Sequence, residues 1–224
     1  MTRRKLYKLL GSGGAPMHGG HGKWSLPRGG KPGEWMPPVE GPVEACRNGY
    51  HLCEREDVVG WLTGNGVDVY EAEGRGDRVD DENKIAFRQA RLLRRVGHLD
   101  ARGLRLLAAD YAERVLPIFE RARPGDDRPR KAIQAARDYA DGEISAAAMA
   151  AAWAAAWAAA RAAAGDAARA AARAAAWDAA GAAARAAAWA AAWAAARAAA
   201  MAAAWAAERR WQTRRLWRYL EAPR

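Results

Sequence analysis

The apolar positions of this chain change their period twice. Through residues 1–100 they come in short runs broken by glycine and proline. KLYKLL (5–10) alternates weakly and predicts a strand. The glycine- and proline-rich stretch from Gly11 to Pro42 predicts a long loop with short extended pieces. In VEACRNGYHLC (43–53), Asn48-Gly49 lies between two apolar runs and predicts a tight type I′ hairpin turn, because both central residues of that turn need positive φ. EREDVVGWL (54–62) predicts a short helix. VDVYEAEG (67–74) and NKIAFRQARLL (83–93) predict two more strands. These elements add up to a small β-rich module.

From residue 101 the period becomes helical. GLRLLAADYAERVLPIFERA (103–122) sets Leu104, Leu107, Ala108, Tyr111 and Val115 on one apolar face. Pro117 is expected to bend or restart that helix. Pro124-Gly125 then ends it, Asp126 or Asp127 can cap the next one, and Pro129 suits the first turn. Ile133, Ala136 and Tyr139/Ala140 mark the buried side of this second helix.

The third regime is a tract of alanine. Between Ser145 and Ala207, 45 of 63 residues are alanine, and the others fall on every fourth position except Asp166 and Asp178. Alanine has the best helix propensity, so helix is expected throughout. A step of four residues advances about 400°, so successive grid positions drift by about 40°. WAAAWAAARAAA occurs at 153–164 and again 36 residues later, which is ten whole helical turns. Met149, Trp153, Trp157, Trp189 and Trp193 therefore share a sector of about 80° on an ideal helix. Arg161, Arg169, Arg173, Arg197 and Arg209 lie away from it, whereas Trp177 and Trp205 do not follow the division. The expectation is that these tryptophans pack on neighbouring helices while arginine meets water. Trp, Arg and Gly codons ending in GG differ only in their first base, so the strict period also fits expansion of a twelve-base unit. A single helix over 145–220 would run roughly 110 Å, and a break is expected near Gly165-Asp166, with another near Gly181. ERRWQTRRLWRYLEA (208–222) then predicts a closing amphipathic helix, with Leu216 and Leu220 as an i,i+4 pair.

The predicted fold class is α+β. A small β-rich module over residues 1–100 precedes a mainly α-helical region over 101–224 that contains the alanine-rich repeats of 145–207.

Charge sharpens the picture of the tail. The chain carries 36 Lys and Arg against 26 Asp and Glu, a net charge of +10, and from Ser145 onward there are 11 arginines and 4 acids. Such a tail can meet nucleic acid through phosphate contacts and base stacking. It can also meet an anionic membrane surface or an acidic protein, or simply stay solvated. Its candidate binding residues are Trp153, Trp157, Arg161, Trp189, Trp193 and Arg197, and the alanine faces offer a route to self-association. Two cysteines form no disulfide framework and fit a reducing cytoplasm. No secretory h-region follows the basic start, and no run is apolar enough to span a bilayer.

Chemistry-bearing residues are sparse. If Asn48-Gly49 closes a hairpin, Cys46, His51 and Cys53 share a face, and His18 or His21 could add a fourth zinc ligand. That spacing matches no common zinc knuckle, and no metal site is assigned. No Ser/His/Asp set, Walker loop or HExxH motif occurs, so no catalytic residue and no cofactor is expected.

Three resemblances add to this reading. VLPIFERARPGDDRPRKAIQAARDYADGEI followed by alanine-rich helix resembles immunity proteins of bacterial polymorphic toxin systems, over roughly residues 105–165 and most specifically Asp127–Ile144. The resemblance implies an all-helical, non-enzymatic protein that binds and neutralises a toxin. KLYKLL, PGEWMPP, GYHLC and VYEAEGRG resemble an uncharacterised domain of phage and bacterial proteins that often precedes repetitive tails. The order GYHLC, DVVGWL, VYEAE faintly resembles ADP-ribosyltransferase-like folds, which would imply NAD use with Tyr50 stacking on nicotinamide and Glu71 or Glu73 assisting transfer.

Overall fold

In the computed structural model the described residues are 4–63, 66–158 and 186–222. Four strands come first: β1 (Leu6–Leu10), β2 (Tyr50–Glu54), β3 (Gly66–Asp81) and β4 (Lys84–Asp100). Helices follow: α1 (Ala101–Ala122), α2 (Arg128–Ala140), α3 (described over residues 146–158) and α4 (Ala186–Glu221). The fold is α+β, as the sequence predicts. The strands are antiparallel and close into a barrel in the order β1-β2-β4-β3. Two compact units are present, Met1–Leu104 with Arg209–Arg224, and Arg105–Glu208.

In the first unit β3 and β4 form one long hairpin running from Gly66↔Asp100 to Asp81↔Lys84. The turn is Glu82-Asn83, and Asp81 holds it by accepting the Glu82 N–H at 2.9 Å and pairing with Lys84 at 2.9 Å. That hydrogen bond to Lys84 is the main reason the Asp81 carboxyl lies below its ordinary pKa. Three register shifts, at Val69/Tyr70, Glu71/Ala72 and Arg75/Arg78, let so long a hairpin curve. It can then pair with β1 along 68–72 and with β2 along 85–87.

The hairpin turn expected at Asn48-Gly49 does not form. The chain instead turns between Glu44 and Asn48, which make an isolated bridge, and β2 pairs with β1 and β4. The Asn48 amide is captured by the Glu40 and Pro42 carbonyls at 2.6 and 2.8 Å. Gly49 has a φ of 148°, and a Cβ there would sit 3.1 Å from the Ala86 Cβ and 3.2 Å from Val43. It is a close-approach glycine.

Leu10, Trp24, Leu52, Tyr70, Phe87 and Leu92 form the core of this unit, with Leu6 packed against it. The proline-rich segment covers β4 where β2 ends. Gly33, Met36 and Val39 donate to the carbonyls of Leu92, Ala90 and Arg88 at 2.8, 2.9 and 3.0 Å. The bonds recur every third residue, which leaves Pro37 and Pro38 where no donor is needed.

The last turns of α4 belong to this unit. Leu216, Trp217 and Leu220 are buried, and the Trp217 ring meets Tyr7 edge-on at 5.2 Å. Arg55 lies 4.5 Å from the other ring centre of that contact, over Trp217, and Arg209 reaches Asp57 at 3.8 Å. A Cβ on Gly97 would stand 2.2 Å from the Leu220 carbonyl oxygen, so the helix rests directly on the β4 backbone. The closing helix is the continuation of the alanine-rich one, since α4 runs unbroken for 36 residues. α1 likewise continues through Pro117 and does not restart.

Lys8 points to the other side of β1 from Tyr7, toward Trp24 in the barrel core. Its ammonium donates to the His51 carbonyl at 3.1 Å and sits 5.1 Å from the Trp24 ring centre. Burial lowers its pKa from 10.5 to about 8, with Cys53 pulling weakly the other way. Between those values the unfolded chain binds the proton and the folded chain does not, so stability rises with pH. Burial also pushes the Cys53 thiol from 9.0 up to about 12, and that group removes stability above pH 9. The clean window is therefore pH 8 to 9. Across it the native chain should gain about 1 kcal/mol relative to Lys8→Met. Denaturant melts of both proteins at the two pH values measure this, and parallel responses would exclude Lys8 as the titrating group.

A second expectation concerns the seat of α4. Trp217 is 3% exposed, and Trp217→Ala should cost about 3–5 kcal/mol in thermal or denaturant unfolding. A near-native melt would mean that the helix end contributes little to the barrel.

Candidate partner-binding groove

The second unit presents a groove built by α1, α2 and α3. Ser145 starts α3 as its cap, its hydroxyl accepting the Ala148 N–H at 3.2 Å. Asp126 accepts the Arg128 N–H at 3.3 Å at the start of α2, and Gly125, with φ 86°, turns the chain just before. Ala109, Leu116 and Ile133 form the buried seam of α1 and α2. Ion pairs flank it. Arg137 binds Glu113 at 2.7 Å and Asp110 at 3.0 Å, and Arg130 binds Glu120 at 2.6 Å. The Glu113 hydrogen bond raises the Arg137 pKa, and the same bond lowers that of Glu113. Both stay charged through the physiological range.

Beside the seam opens a cavity of about 610 Å³. Ala108, Ala112 and Leu116 line it from α1, Ala132 and Ala136 from α2, and Met149, Trp153 and Trp157 from α3. Each set repeats at a step of three to four residues, the spacing that keeps side chains on one helical face. Among the described residues, Arg105 is the one charged residue in the lining, and its guanidinium lies 4.5 Å from the Tyr139 ring centre. Small side chains on α1 and α2 lower two walls, and the indoles raise the third. The Trp153 and Trp157 rings meet edge-on at 6.3 Å, on successive turns.

The expected burial of these tryptophans is corrected here. Trp153 is 58% exposed and Trp157 52%. They line a groove that the alanines opposite leave open, because a methyl group reaches too short a distance to cover an indole. Ala108 is corrected for the same reason. It was expected on the buried face of α1 but is exposed in the groove, while Ala109 and Leu116 make the seam. Arg161 lies outside the described residues, as do the breaks expected near Gly165-Asp166 and Gly181. Trp189, Trp193 and Arg197 fall within α4, whose side chains are described from Ala202 onward. The alanine wall of α1 and α2 was missed in the sequence, although Ala108/Ala112 and Ala132/Ala136 at i,i+4 carried the signal.

The other candidate residues are placed apart. The Cys46 N–H donates to His51 Nε2 at 2.9 Å, whereas the buried Cys53 thiol points to the Tyr7 carbonyl at 3.7 Å. His18 contacts the Trp61 carbonyl at 3.0 Å, and His21 is exposed. Among the described residues, no group of three such side chains is gathered that could hold a metal ion. Tyr50 packs against the barrel core next to Trp24 and donates to the Pro37 carbonyl at 2.8 Å. Glu71 lies beside Tyr7 on the face that carries Trp217, held by Arg94 at 2.8 Å, and Glu73 pairs with Arg91 at 2.6 Å. Tyr50 and these glutamates therefore stand on opposite faces of the sheet. No described helix is long and apolar enough to cross a membrane.

The Imm-5 like putative immunity protein model matches residues 95–219. The chain belongs to that family. The match covers the groove and extends through the repeats into the closing turns of α4, beyond the stretch that carried the resemblance in the sequence. No curated protein and no solved structure matches the chain. Family membership points to an immunity-like role with a toxin as the general class of partner.

Half-exposed indoles contribute less to folding than buried ones. Trp153→Ala and Trp157→Ala should each lower stability by about 1–2 kcal/mol, against roughly 3–5 for a fully buried aromatic. Thermal melts of the two variants decide it. A loss in the upper range would mean that the groove is filled in solution.

Proposed function

We propose that this chain neutralises a toxin by binding it, without catalysis, and that the groove of α1, α2 and α3 receives an apolar segment of that toxin. The observation that carries the reading is the open cavity, walled by alanine and rimmed by Trp153 and Trp157, within residues matched by the family model. An exposed apolar surface with paired tryptophans has the composition of a binding hot spot. Alanine walls let a partner backbone approach closely, and the indoles supply contact area at little entropic cost. Both cysteines are free thiols, which fits action in the reducing cytoplasm where a toxin would be met.

The test is co-expression with the toxin encoded beside the gene, together with a direct affinity measurement on the purified pair. Trp157→Ala should weaken binding at least tenfold, and Ala112→Glu, which puts a charge on the groove wall, should abolish protection of the host. Native-like protection by both variants would remove the groove from the proposal. Failure of the native chain to bind that toxin would remove the immunity reading itself.

A further inference from the structure

The C-terminal segment of α4 carries a second surface that the groove does not use. Residues 209–221 hold five arginines and one glutamate. Two of the five are engaged, Arg209 with Asp57 at 3.8 Å and Arg215 with the Tyr219 ring at 5.4 Å. Arg210, Arg214 and Arg218 are exposed, and among the described residues no hydrogen bond, ion pair or ring contact holds them. They stand at i, i+4 and i+8. On the helix this is a stripe about 12 Å long with steps of about 6 Å. The opposite side of the same turns, at Thr213, Leu216, Trp217 and Leu220, is buried. The stripe is therefore presented on a fixed platform.

Along β3 and β4 of this unit the pattern is different. Arg78, Arg88, Arg91, Arg94 and Arg95 each lie against a carboxylate of the same unit. Three aligned, uncompensated cations on a rigid helix repel one another and gain from any surface that neutralises them together. We propose that Arg210, Arg214 and Arg218 dock an acidic face of a protein partner, for which a helix bearing carboxylates at i, i+4 and i+8 has the same spacing. The choice of a protein over nucleic acid rests on the proposed immunity function, because the stripe lies within residues that the family model matches. It adds to the groove a site of opposite chemistry.

The probe is a labelled poly-L-glutamate of about 20 residues, read by fluorescence anisotropy with the full chain at low and moderate salt. A labelled DNA duplex serves as the comparison ligand. The stripe variant is Arg210→Gln/Arg214→Gln/Arg218→Gln, and the control is Lys23→Gln/Arg28→Gln/Lys31→Gln, which removes the same charge from exposed loop positions of the same unit. Neither set has a partner to lose, so both variants should melt as the native chain does. The stripe variant should bind poly-glutamate about tenfold more weakly, three surface ion pairs being lost together, and the control less than twofold. Replacing the three arginines by lysine should restore most of the binding. Equal losses in stripe variant and control would overturn the proposal in favour of net charge alone, and absence of native binding would overturn it outright. Selective loss of duplex binding with poly-glutamate unaffected would overturn it in favour of nucleic acid. No toxin is present in this experiment, so its failure leaves the immunity reading standing and separately testable.

Discussion

The first unit depends on the seating of the end of α4 against the barrel. Trp217 packs on Tyr7 in the first strand, and Leu220 lies on the bare backbone of Gly97 in the last. Without those residues the face carrying Tyr7 and Cys53 would lose its cover. A four-stranded barrel is small, and its interior alone buries little apolar area, so a helix across one wall is a large addition. The contact joins residues more than 200 positions apart in the chain. Closing a loop of that length costs entropy that only a strong local gain repays. An indole 3% exposed and two leucines at 0% and 5% supply it.

The same seat explains why α4 can be so long. Alanine costs least in a helix but also gains least from packing. A helix of 36 residues needs at least one place where an amphipathic face is buried. WQTRRLWRYLE provides that place, because Thr213, Leu216, Trp217 and Leu220 fall on one side at spacings of three and four. The arginines at the remaining positions then face outward by geometry, and their alignment at 210, 214 and 218 is a direct consequence of which side the barrel takes.

How much of this was legible in the sequence follows from the range of the forces involved. The strand at 6–10, the segments 67–74 and 83–93 of the long hairpin and the helices after residue 101 were readable because local period and propensity set them, whereas the polar, charged extensions to Asp81 and Asp100 carry no such period. Asn48-Gly49 misled because a turn signal is local, whereas the Asn48 amide is captured by carbonyls six and eight residues earlier. Of the two outcomes expected at Pro117 the restart does not occur, because a helix packed along Ala109 and Leu116 tolerates one lost hydrogen bond. Leu216 and Leu220 were readable as an apolar pair, but nothing in periodicity says that their partner is a strand at the other end of the chain. Trp153 and Trp157 do share a face with Met149, as the period predicts, but they are exposed on it where burial is expected. A sequence reports which face is apolar, not whether anything covers it.

The four-residue grid sets a limit on what the repeats can build. Each step overshoots a whole turn by about 40°, so three consecutive positions span about 80° and a fourth leaves the face. Met149, Trp153 and Trp157 are such a triplet, and all three line the groove. A heptad-like pattern could have extended the indole wall indefinitely along a partner helix. A period of four cannot. Repetition at this period therefore yields short, discrete patches, three side chains deep, and lengthening the tract adds further patches at new angles until, about 36 residues on, the grid returns to the first angle as a separate patch. That geometry suits a groove that holds one short apolar segment. It also requires any more extensive recognition to draw on residues outside the repeats, and the closing turns of α4 are where the chain supplies fixed, aligned charge.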